Sequence, residues 1–128
     1  KILEDLSQRA KLQVILTVAC AIARNYMDSR VKTKQSLVSQ TRLSYIYVSY
    51  AIDVLIHASI IHGVSDKGDD ERYYPTVSIE QMTVGDFVRR IFCSGHDTIT
   101  RSSADIRNYV DSMLAEATSH DDRLLREL

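Results

Sequence analysis

Near the start of the chain, apolar residues recur three and four apart, at Leu12, Ile15, Leu16, Ala19, Ile22, Ala23 and Tyr26. That spacing lays one apolar stripe on a helix and predicts helix from Leu3 to Met27, ended by Asp28-Ser29. Thr33 is placed to cap a short second helix, Lys34 to Gln40. After the link Thr41-Arg42-Leu43, Ser44 caps a third helix running to about Ser59. Two helices across so tight a link suit a helix-turn-helix. Ile60-Ile61 then reads as a short apolar strand, Gly63 to Asp70 as a polar turn, and Arg72 to Val77 as a return strand. The single proline, Pro75, belongs at a sheet edge or near the strand's end.

Beyond the hairpin, Ser78 or Thr83 opens a further helix with Val84, Phe87, Val88 and Ile91 on one face, stopped by Gly95. A last helix, about Ser103 to Ala117, carries Ile106, Tyr109, Val110, Met113 and Leu114 on one stripe, with Ser102 and Ser103 as candidate caps. The tail, Asp121 to Leu128, is polar apart from three leucines and is expected to fray or extend helically. The expected fold is mainly α with a small β-wing: a winged helix-turn-helix with an appended C-terminal helix. It forms one domain over residues 1–128: a first helix to about 30, helix-turn-helix and wing over 33–77, and C-terminal helices over 78–128.

Composition adds boundaries. At 128 residues and 45% apolar, the chain can bury a single core. No apolar run reaches the roughly 18 residues of a membrane span, and with no apolar run and cleavage site at the start a signal peptide is not expected. It begins at Lys1, which suggests a piece of something longer. Charge is uneven: residues 1–43 carry a net +5 and residues 44–128 a net −6. A basic first part could face phosphates, although a solvated helix surface explains it equally well.

The third helix complicates a nucleic-acid reading. From Leu43 to Ser65 there is no Lys, Arg, Asn or Gln, the side chains that usually read bases. With Val48, Ala51, Ile52 and Leu55 inward, Ile46, Tyr47, Tyr50, Asp53 and His57 fall outward. A face rich in tyrosine and isoleucine suits protein contacts, or packing on the remaining helices. Asp66, Asp69, Asp70 and Glu71 beside Lys67 in the wing would repel a DNA backbone. Nucleic acid is therefore expected to be an unlikely partner. Were DNA bound, Lys32, Lys34, Arg42 and Lys67 would make the contacts.

No catalytic pattern appears: no G-x-S-x-G, no Walker loop, no H-E-x-x-H. Cys93 and His96 have C-x-x-H spacing, but a structural zinc site needs a second pair, and His57 and His62 do not share a helix face well. Cys20 lies on an apolar helical face and reads as core. The chain is expected to have no enzyme activity, no cofactor and no metal.

A resemblance arises from three segments. Leu55-Ile56-His57-Ala58-Ser59-Ile60-Ile61 follows the L-x-x-A-x-I-I end of a winged-helix third helix. After the wing come Tyr73-Tyr74-Pro75-Thr76-Val77-Ser78-Ile79 and Met82-Thr83-Val84-Gly85-Asp86-Phe87-Val88. This order resembles the C-terminal cytoplasmic region of YihY/BrkB-family membrane proteins, once labelled ribonuclease BN-like. There a Y-x-P-A-x-D-I strand precedes I-T-V-x-x-V and a Gly-containing stop, matched here by Ser94-Gly95. Thr76 and Ser78 depart from that pattern. The resemblance implies a non-catalytic regulatory or assembly domain at the cytoplasmic face of a bacterial inner membrane. It would act through protein contacts, with the membrane-embedded remainder of the chain as partner and homo-oligomerisation open. The chain is also similar to Rrf2-type transcription regulators, which have a wing followed by I-T-L-x-D-V, although theirs is glycine-rich and their recognition helix polar. That implies a DNA-binding regulator as the alternative. A ribonuclease or ribonuclease accessory is a weaker one.

Overall fold

A computed structural model describes residues 3–65, 68, 70–95, 103–119 and 122–128. Helix α1 spans Gln8–Met27. It starts later than the apolar spacing predicts because the Ser7 side chain caps it, accepting from the Ala10 N–H at 3.0 Å. Val14, Ile15, Val18, Ala19, Cys20, Ala21, Ile22 and Ala23 are buried over a wide arc. A helix so widely covered is a central one.

Helix α2, Lys34–Thr41, is capped by the Thr33 hydroxyl and closed by Arg42 in the left-handed conformation, at φ 63°. That turn lets Ser44 cap α3, Tyr45–His57, only two residues further on. Leu37 from α2 joins Val48, Ala51, Ile52 and Leu55 from α3 in the core. At the end of α1, Asn25 is buried and exchanges two hydrogen bonds with Gln40: it donates at 2.8 Å and accepts at 3.2 Å. This satisfies a buried amide and fixes α2 against α1.

The chain leaves α3 through Ser59 at φ 60° and enters a two-stranded antiparallel hairpin, β1 (Ile61–Val64) with β2 (Arg72–Pro75). Pro75 closes β2 opposite Ile61, where its missing N–H costs no ladder bond further along the strand. A short 3-10 turn, Ile79–Gln81, leads to α4, Val84–Phe92, capped by Thr83. Helix α5, Ala104–Ser119, packs on α4. Ser103 caps it through the Ile106 N–H, while Ser102 lies outside the described residues.

The tail neither frays nor extends a helix. Residues 122–128 return to the core, with Leu125 fully buried. Leu125 N–H donates to Met82 O and Val84 N–H to Arg123 O, both at 2.8 Å, and the Cys20 thiol approaches Leu125 O at 3.4 Å. Leu125 is the anchor in an otherwise polar tail; Leu124 is half-buried and Leu128 exposed.

Candidate nucleic-acid interface

Arg42 and Ser44 set how α3 is presented. The left-handed Arg42 turns the chain sharply between α2 and α3. Tyr45 and Ile46 there are 50% and 46% exposed. Ile46 and Asp53 lie on the outward face, with half-buried Ser49 between them. Asp53, Ile56 and His57 are exposed further along. Tyr47 and Tyr50 are not outward in the same sense: both are half-buried and pack against the core cluster. The Ser49 hydroxyl is shielded and has no hydrogen-bond partner among the described residues.

The hairpin is held to the segment that leads into α2. Arg72 of β2 donates to Val31 O at 3.0 Å, and a bridge pairs Arg72 with Thr33, the cap of α2. Arg90 of α4 donates to Ala58 O at 3.1 Å and Ser59 O at 3.4 Å, closing the carboxyl end of α3. Between α2, α3 and β2 lies an open cleft of about 380 Å³, with Lys34, Tyr45, Asp53, Glu71 and Tyr73 in its lining. Burial pushes the Tyr73 phenol up to about 12, helped by the negative charge of Glu71, neighbouring Tyr45 and Asp53. The inner cleft is thus acidic.

Cations flank it instead. Lys34 opens α2 and places its ammonium 5.4 Å from the centre of the Tyr45 ring, joining the starts of the two helices. Arg42 is exposed, and Lys32 is half-exposed just before α2. The ion pairs among the described residues are Arg30–Asp28 and Arg89–Asp86, so Lys32, Lys34 and Arg42 have no ion-pair partner among the described residues. Lys67, the fourth candidate, lies outside the described residues, as does His96 of the C-x-x-H pair. Among the described residues no cluster of His, Cys, Asp or Glu could hold a metal.

No family model matches the chain, and no curated protein matches it. Solved structures do. CymR, the global cysteine regulator of B. subtilis, superposes with a TM-score of 0.61 at 15% identity, over 94% of this chain and 92% of its own. S. aureus CymR gives 0.59 at 20%, over 91% and 93%. T. potens IscR gives 0.61 at 19%, over 95% and 85%. The fold is a winged helix.

These end-to-end matches overturn the resemblance to a YihY/BrkB cytoplasmic region. The motifs that carried it are what any winged helix needs at those places: Leu55, Ala58, Ile60 and Ile61 are all buried where α3 meets β1. The placement at a membrane face and the membrane-embedded partner rested on that resemblance alone and fall with it. No described helix is long and apolar enough to cross a membrane. The expectation that nucleic acid is an unlikely partner falls as well. It weighed the charge of α3 and the wing, whereas Lys32, Lys34 and Arg42 lie before, on and just after α2.

Proposed function

We propose that this chain is a DNA-binding transcription regulator of the Rrf2 type, acting without chemistry of its own. The observation that carries this reading is the end-to-end superposition on CymR and IscR, which are Rrf2-type regulators. Met82-Thr83-Val84-Gly85-Asp86-Phe87 also follows the I-T-L-x-D-V pattern after the wing. In this reading α3 enters the major groove, while Lys32, Lys34 and Arg42 neutralise phosphates beside it.

The regulator acts as a dimer. Ile106, Tyr109, Val110 and Met113 form an exposed apolar row on α5, next to an apolar groove of about 670 Å³ that includes Phe92 and Leu114. A row this apolar is an association surface, and a twofold dimer would bring two copies of α3 to two half-sites.

A titration with duplex DNA at about 50 and 200 mM salt tests the proposal. Binding should weaken steeply between the two, and Lys34→Ala with Arg42→Ala should reduce the salt slope by about 2. Absence of salt-sensitive binding at the lower concentration would defeat it.

A further inference from the structure

On the DNA-binding reading above, we infer that Ile46 sets sequence preference by packing against the C5-methyl group of a thymine, so that the chain selects A·T pairs where the first turn of α3 meets the groove.

The argument begins with what α3 lacks. Guanine is usually held by Arg or Lys across O6 and N7, and adenine by Asn or Gln across N6 and N7. Between Leu43 and Ser65 none of those four residue types occurs. Asp53 can accept from cytosine N4, but it lies two turns into the helix and lines the acidic cleft rather than the leading turn. What the leading turn offers is Ile46, on the outward face, with Tyr45 at its flank. Tyr45 is already engaged by the Lys34 ammonium, which leaves Ile46 as the free apolar probe.

An apolar side chain in the major groove has one apolar partner, the thymine methyl. The neighbourhood fits that occupant. Lys34 and Arg42 bracket α2 and, with no ion-pair partner among the described residues, place positive charge beside an uncharged tip, which suits a phosphate-flanked groove with an apolar spot inside it.

Uracil is thymine without that methyl, so it provides the test. Random-sequence duplexes are selected on the full chain, and the winning duplex is rebuilt with deoxyuridine replacing each thymidine in turn. Burial of one methyl predicts that replacing the contacted thymidine in one half-site weakens binding by about fourfold. Ile46→Ala should bind the two duplexes equally, while Ile46→Val should keep most of the difference. Both variants change an exposed side chain, and an unchanged melting curve confirms that they fold. Selection of G·C pairs at every preferred position, tolerance of uracil throughout, or persistent discrimination by Ile46→Ala would overturn the inference and leave DNA binding intact. If no duplex is enriched, the DNA-binding reading fails and the inference fails with it.

Discussion

Helices α3 and α5 carry apolar rows of similar spacing and meet opposite fates. In α3, Val48, Ala51, Ile52 and Leu55 are buried against α1, α2 and the hairpin. In α5, Ile106 and Tyr109 stay 62% and 66% exposed, while Leu114 is half-buried and Thr118 buried. Thr118 accepts from Arg89 at 2.8 Å and donates to Leu114 O at 2.9 Å. Hydrophobic periodicity says that a face wants cover. It does not say whether the cover lies in the same chain.

Substitutions along the two rows test that contrast. The largest effect is expected for Leu55→Ala, which hollows the core under α3 and should cost about 2–5 kcal/mol in denaturant unfolding. Leu114→Ala, at the one half-buried apolar position of the α5 row, should cost about 1–2 kcal/mol, since less of the side chain leaves water on folding. Tyr109→Glu should change the stability of the folded monomer by less than about 0.5 kcal/mol. It should nonetheless abolish association in sedimentation velocity. A variant that still dimerised would show that the α5 row is merely solvated, and a variant that unfolded would erase the distinction between the helices.

A smaller, pH-dependent effect sharpens the α3 side. Folding raises the Tyr73 phenol above its ordinary value of 10, to about 12, by burial first and by neighbouring negative charge second. The neutral phenol is the form the fold favours, so this contribution is complete below pH 10 and is lost as pH climbs from 10 towards 12. Tyr73→Phe should flatten that part of the alkaline stability curve. The smallest effect belongs to Ser49→Ala, which removes a shielded hydroxyl without a partner among the described residues and should leave stability unchanged or slightly higher in thermal melts.

Much of the fold is legible in the chain because its caps are local. Thr33, Ser44 and Thr83 each accept a backbone N–H three residues on, so each helix start follows from adjacent residues alone. The hairpin register likewise needs only β1 and β2. Legibility stops where partners are distant in sequence. Leu124, Leu125 and Leu128 show no period, and only the meeting of Leu125 with Cys20 and Met82 explains the burial of Leu125. The half-buried state of Tyr47 and Tyr50 depends in the same way on the elements around α3. The contact of Lys34 with Tyr45 joins two helices and is likewise invisible in α3 alone. The assignment to a membrane protein mistook the shared requirements of a winged helix for a family signature.

The returning tail also sets the order in which the chain can fold as it is synthesised. Helices α1 to α3 and the hairpin meet one another within the first 75 residues and can assemble early. The surface of α1 around Cys20 is covered by Leu125, 105 positions later. Until the tail leaves the ribosome, that patch faces solvent or a chaperone, and the end of α5 lacks the tether that brings the chain back to α1. The contact between α1 and the tail is therefore a long-range closure, expected to form more slowly than the local contacts of α1 to α3.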